Sequence, residues 1–167
     1  MSGLASITET CQPRDDVLSG QLSDQMFAAN LDTIVRDRAS YPIYGDPEQF
    51  FALTHPTRGV RRLLERTFGR LSGAKVPGAE HGVIRLQTTF GGGKTHGLIV
   101  TFYLAEGARP SNLDQFIDPE LLPDSCQVAA VVGDALDPVA GVPHSGFHTF
   151  TMWGEIAAQL GRYDEMR

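Results

Sequence analysis

The run Gly91-Gly92-Gly93-Lys94-Thr95, set between a β-rich segment and an apolar helical pattern, limits the architecture of this chain more than any other feature. Consecutive glycines reach positive φ values that side chains resist, so successive N–H groups can converge on one anion. Before the glycines, Val83-Ile84-Arg85-Leu86-Gln87 reads as a short strand. After them, Lys94 to about Glu106 reads as a helix, with Leu98, Ile99, Phe102 and Ala105 along one side and Gly107 as its stop. Strand, glycine turn and helix in that order form the βα unit of a phosphate-binding loop.

Residue roles follow from position. Gly93-Lys94-Thr95 matches the second half of the pattern G-x-x-x-x-G-K-[ST], whereas Thr88 stands where its first glycine belongs. A helix N-terminus directs free N–H groups and the positive end of its dipole at a phosphate. Lys94 then supplies a point charge for the β- and γ-phosphates, and Thr95 a hydroxyl ligand for Mg²⁺. The candidate cofactor-binding set is Gly91, Gly92, Gly93, Lys94, Thr95 and His96, although His96 alone reads as a helix-face residue. A tight turn with an incidental lysine is the bland alternative, and the flanking strand and helix patterns weigh against it.

A P-loop NTPase also needs an acidic residue ending a second core strand. Only Val128–Asp134 offers one; there Gly133 intervenes before Asp134 and no glutamate follows. Asp134 and Asp137 read better as turn residues, through Gly133-Asp134 and Asp137-Pro138. The two strand candidates, Val83–Gln87 and Gln127–Val132, fall short of the roughly five strands common in such sheets. The expected fold is therefore α/β. A helical N-terminal segment, residues 1–80, precedes an incomplete P-loop NTPase core, residues 81–167, built as a parallel sheet in three layers.

The helical segment has clear boundaries. Ser23 can cap a helix over Asp24–Arg36, with Phe27, Leu31, Ile34 and Val35 on one face. Pro47 opens a short helix through Phe50, Phe51 and Leu53 that stops before Pro56. Thr57 caps a third helix ending near Ser72-Gly73, striped by Val60, Leu63, Leu64, Phe68 and Leu71. Its opposite face carries Arg58, Arg61, Arg62, Arg66 and Arg70, which either grip phosphates or an acidic partner, or form an ordinary solvated face. Later come a short helix at Pro119–Leu122, a loop over Gly133–Gly146 and a last helix over Met152–Leu160.

Composition narrows the function classes. A net charge of −6 argues against coating nucleic acid by charge alone. No apolar run approaches the ~18 residues of a membrane span, and Met1–Thr10 lacks the basic start of a secretory leader. Cys11 and Cys126 make neither a disulfide framework nor a zinc set. A cytoplasmic protein without a membrane partner is expected.

The run Arg85–His96 resembles the phosphate loop of large bacterial ATP-binding proteins called domain of unknown function 499. Cys11–Leu18, Asp46–Phe51 and Thr54–Thr57 upstream, and Val132–Pro138 and Trp153–Ala157 downstream, resemble other signatures of that family. The resemblance implies an AAA-like ATPase with ATP and Mg²⁺ as cofactors, and a family tolerance for a non-glycine at Thr88. It also implies genes beside DNA methylases and helicases in phage-defence islands, so that DNA or defence-system proteins are the expected partners. Family members are several times longer, so this chain is expected to be their N-terminal piece. The acidic strand end and the arginine finger would then lie beyond Arg167, leaving hydrolysis doubtful in this chain alone. Oligomer formation stays open. Two other functions compete: a small P-loop kinase, and a non-enzymatic module binding a partner or nucleic acid through the Arg58–Arg70 face and Phe50/Phe51. Binding by such a module would survive Lys94→Ala.

Overall fold

The computed structural model describes residues 6–13, 15–20, 29–41, 43–87 and 91–166. The short helices α1 (Ile7–Thr10), α2 (Asp15–Leu18) and α3 (Leu31–Arg36) precede α4 (Pro47–Ala52), α5 (Arg58–Ser72) and α6 (Lys94–Ala105). Strands β1 (Val142–His144) and β2 (Phe147–Thr149) and helix α7 (Met152–Gln159) follow, with single 3-10 turns at Leu113–Gln115, Pro119–Leu121 and Gly133–Ala135 among the connections. Among the described residues the architecture is mixed: helices with one small antiparallel sheet of two strands.

Local chemistry sets the helix ends. The Asp46 carboxylate accepts from the Glu48 N–H, with Pro47 in the first turn of α4. Thr57 accepts from the Val60 N–H at the start of α5, and Gly73 closes that helix at φ +74°. Helix α3 differs from expectation. The Asn30 side chain accepts from the Asp32 and Thr33 N–H groups, so the helix begins at Leu31 and not at Asp24. Ser23, Asp24 and Phe27 lie outside the described residues.

Helix α6 is the centre of the core. Ile99, Val100, Phe102, Tyr103 and Leu104 are all buried, whereas Leu98 is 43% exposed. The one-sided stripe expected from Leu98 is thus incorrect: beyond its first turn α6 is wrapped on most of its circumference, which is where a helix apolar on several faces belongs. Leu64 and Phe68 of α5, Phe50 and Phe51 of α4, Ile34 of α3 and Leu113, Phe116 and Ile117 join it in one cluster. Phe51 meets Phe116 edge-on at 4.9 Å, and Phe50 lies 5.6 Å from Tyr103. Burial pushes the Tyr103 phenol up to about 12. Beyond the end of α6, the Cys126 thiol donates to the Ala105 carbonyl at 3.0 Å.

No parallel sheet occurs among the described residues. Val83–Gln87 and Gln127–Val132 carry no strand assignment, and Val83 is 85% exposed. β-rich composition favours an extended chain, but a strand exists only against a partner whose N–H and C=O groups complete the ladder. The end of the loop expected over Gly133–Gly146 instead holds β1, which pairs with the residues just beyond it in a hairpin, Val142 with Thr149 and His144 with Phe147. Ser145 and Gly146 make its two-residue turn, with Gly146 at φ +90°. No helix among the described residues is long and apolar enough to cross a membrane.

Candidate functional site

The glycine run forms the entry to α6. Gly91 has φ +80° and Gly93 φ +71°, a backbone state that a side chain would strain. Gly93 is the N-cap of α6 and offers no side chain to cap it. The first-turn N–H groups of a helix have no partner within the helix, and at this end no cap side chain takes them up. A Cβ built on Gly91 or Gly93 meets nothing within 4 Å. The space over the loop is therefore open, and these glycines serve conformation and access more than tight packing. Thr95 is exposed and Lys94 half-buried at the same end. Thr88, Thr89 and Phe90 lie outside the described residues.

A cavity of about 360 Å³ adjoins this loop. Gly91, Gly92, Gly93 and Lys94 line one side. The cap and first turns of α5 also line the cavity, through Thr57, Gly59, Val60 and Leu63, as do His55, Leu86 and, on α6, His96 and Gly97. Helix packing brings the two helices together. Gly97 of α6 is buried, and a Cβ there would stand 3.3 Å from a Leu63 methyl of α5, so the absent side chain lets the helices approach. The sequence flagged the glycine loop but not the α5 wall, because that wall comes from about thirty residues earlier in the chain.

His96 also lines the cavity, yet its ring is committed to the core. The Thr54 hydroxyl donates to the Phe50 carbonyl at 2.6 Å. With its only proton used there, it accepts from His96 Nε2–H at 2.8 Å. The ring packs on Phe50 at 4.7 Å, and burial lowers its pKa, so the imidazole is neutral at pH 7. His96 therefore brings no positive charge to the loop. Its side chain ties α6 to α4, as a helix-face residue would.

No group of three His, Cys, Asp or Glu side chains suited to a metal ion occurs among the described residues. Asp137 accepts from the Ala140 and Val139 N–H groups at 2.9 and 2.7 Å, bonds that hold its carboxyl below the usual range. It anchors a turn. Asp134 sits exposed in the 3-10 turn Gly133–Ala135.

A second polar centre was not foreseen. Glu155 of α7 is 1% exposed. Its carboxylate accepts from Thr149 Oγ1 at 2.5 Å, His144 Nε2 at 2.8 Å and Gln159 Nε2 at 2.9 Å, with the Arg36 guanidinium at 3.6 Å. Burial pushes its pKa up, but hydrogen bonds from Thr149, Gln159 and His144 outweigh that and leave it lowered. Gln159 in turn brackets Ala130, accepting from its N–H at 2.8 Å and donating to its carbonyl at 3.0 Å. One carboxylate thus fastens α7 to the hairpin and to α3, and Gln159 adds the extended segment through Ala130. Gln159 is an i,i+4 neighbour on the same helix, whereas Thr149 and His144 reach Glu155 only through the hairpin and Arg36 only through the packing of α3.

The α5 surface divides in two. Arg58, Arg61, Arg62 and Arg70 are exposed, whereas the Arg66 guanidinium folds over Gly78. Phe50 and Phe51, expected as a binding surface in the non-enzymatic reading, are 1% and 0% exposed and belong to the core.

Together the glycine-headed helix and its cavity make up the candidate site on a mixed, mostly helical chain. Residues 7–167 match the family described as the DUF499 N-terminal domain, and the chain belongs to that family. Comparison with curated proteins finds no match, and comparison with solved structures finds none.

Proposed function

We propose that this chain binds ATP·Mg²⁺ at Gly91–His96, as the N-terminal segment of a large P-loop, AAA-like ATPase. The observation that carries the reading is the open, positive-φ glycine loop capping a twelve-residue helix beside a cavity. The group fits the residues present on two counts: space over the loop is free, and no side chain at Gly93 competes for the first-turn N–H groups. In this reading the N–H groups of Gly91–His96 hold phosphate oxygens, Lys94 contributes charge and Thr95 a Mg²⁺ ligand. Bound Mg²⁺ would neutralise charge building on the phosphates.

Catalysis needs more than these residues supply, since neither Asp134 nor Asp137 accompanies Thr95 in a metal-holding cluster. Hydrolysis is accordingly assigned to the complete ATPase. There Val83–Gln87 and Gln127–Val132 become strands of the parallel sheet once neighbouring strands complete their ladders. The family resemblance alone supports a cytoplasmic anti-phage context coupled to DNA modification, with DNA or defence-system proteins as partners.

Calorimetric titration of the folded chain with ATP·Mg²⁺, beside Lys94→Ala, tests the reading. Saturable binding that Lys94→Ala weakens by about tenfold or more is the expected result. A folded wild type that takes up no ATP overturns it.

A further inference from the structure

The cavity over the glycine loop has two chemically different walls, and phosphate accounts for only one. The loop side offers backbone N–H groups and a lysine. The α5 side offers Val60 and Leu63, with Leu86 beside them and His55 and Gly59 at the margin. Its one hydroxyl, Thr57 Oγ1, accepts from the Val60 N–H as the helix cap and still has its proton to donate, so Val60, Leu63 and Leu86 are the apolar part of this wall. A polyphosphate chain has no apolar surface with which to fill such a wall, whereas a nucleobase presents flat faces that gain by leaving water against apolar side chains.

We infer that the wall of Val60, Leu63 and Leu86, with His55 at its edge, receives the nucleobase of the ligand whose phosphates the loop holds. The site would then read a nucleoside triphosphate as a whole and not polyphosphate alone. This inference rests on the phosphate-loop reading above. It assigns the helical segment before the loop a direct part in ligand binding, since α5 shares the lining of the cavity with the start of α6. Gly59 is among the lining residues; a Cβ there meets only Thr57 Oγ1, at 3.9 Å, and the residue has no positive φ, so this lining position takes a larger side chain without strain.

The test compares ATP·Mg²⁺ with tripolyphosphate·Mg²⁺ by calorimetry on the wild type, Gly59→Leu and Val60→Ala, with circular dichroism to confirm folding. The wild type should bind ATP about tenfold or more tighter than tripolyphosphate. Gly59→Leu should cancel most of that preference by filling the wall, and Val60→Ala should reduce it, each leaving tripolyphosphate affinity within about twofold. Equal wild-type affinity for the two ligands, or an ATP-to-tripolyphosphate ratio untouched by both variants, overturns the inference while the phosphate loop stands. If a folded wild type binds neither ligand, the phosphate-loop reading itself fails and this one with it.

Discussion

Replacing Glu155 with alanine should be among the most damaging single changes to this chain that leave its apolar core intact. The carboxylate is buried and accepts from Thr149, His144 and Gln159, with Arg36 close by. Each hydrogen bond to a charged acceptor contributes about 1.5–3 kcal/mol, and each buried donor left alone costs about 1–3. The losses do not add fully. Gln159 keeps its two bonds to Ala130, and the Thr149 hydroxyl can turn to another acceptor. About 3 kcal/mol is therefore expected for Glu155→Ala. Glu155→Gln preserves shape and can keep the Gln159 bond through its carbonyl oxygen. Its amide then faces Thr149 and His144, both able to accept, the histidine by changing tautomer, so its loss should be about 1 kcal/mol. Urea unfolding followed by far-UV circular dichroism measures both. Glu155→Ala within about 0.5 kcal/mol of wild type, or Glu155→Gln as costly as Glu155→Ala, would refute the assignment. The pH dependence supplies a sign. Because the folded carboxyl titrates below its ordinary value of 4.5, its contribution is complete above that value and is lost as pH falls through the lowered one. The gap between wild type and Glu155→Ala should narrow in acid.

Other consequences are independent of that centre. Gly93→Ala forces a side chain into φ +71° and should cost about 1–2 kcal/mol, weakening nucleotide binding as well; thermal melts with and without ATP·Mg²⁺ read both effects. Gly69→Ala acts through crowding, since its Cβ would stand 2.7 Å from a Val76 methyl. A loss of about 1–3 kcal/mol with nucleotide affinity unchanged is expected in the same melts. His96 is held neutral by burial, so the unfolded chain binds a proton near pH 6.5 that the folded chain refuses. Stability should be full above that pH and decline below it, and His96→Gln should flatten the decline when unfolding midpoints are compared at pH 7.5 and 5.5.

How much of this was legible in the sequence depends on how far apart the interacting residues lie. Helices α4 and α5 were readable because their signals are local: Asp46-Pro47, Thr57 and Gly73 sit at the ends they determine. The glycine run was readable for the same reason, since positive φ at Gly91 and Gly93 is a property of the run itself. Helix α6 was found, but its buried circumference was not, because burial on several faces depends on what α3, α4 and α5 bring to it. The strand reading of Val83–Gln87 treated composition as sufficient, whereas a ladder needs a partner. The hairpin was hidden by three-residue strands, one of them containing Pro143. The α5 wall was out of reach because it meets the glycine loop only through tertiary packing, and the Glu155 centre because the hairpin and Arg36 supply the partners beyond its own helix. Residues 7–167 match one family, in keeping with signatures that ran from Cys11 to Ala157.

The most direct measurement of the central claim is the set of backbone amide shifts in the folded chain on adding ATP·Mg²⁺. If the glycine loop holds the phosphates through its N–H groups, the largest changes fall on Gly91, Gly92, Gly93, Lys94, Thr95 and His96, and Lys94→Ala diminishes them. Saturable shifts confined to the arginine face of α5, with Gly91–His96 unmoved, would contradict it.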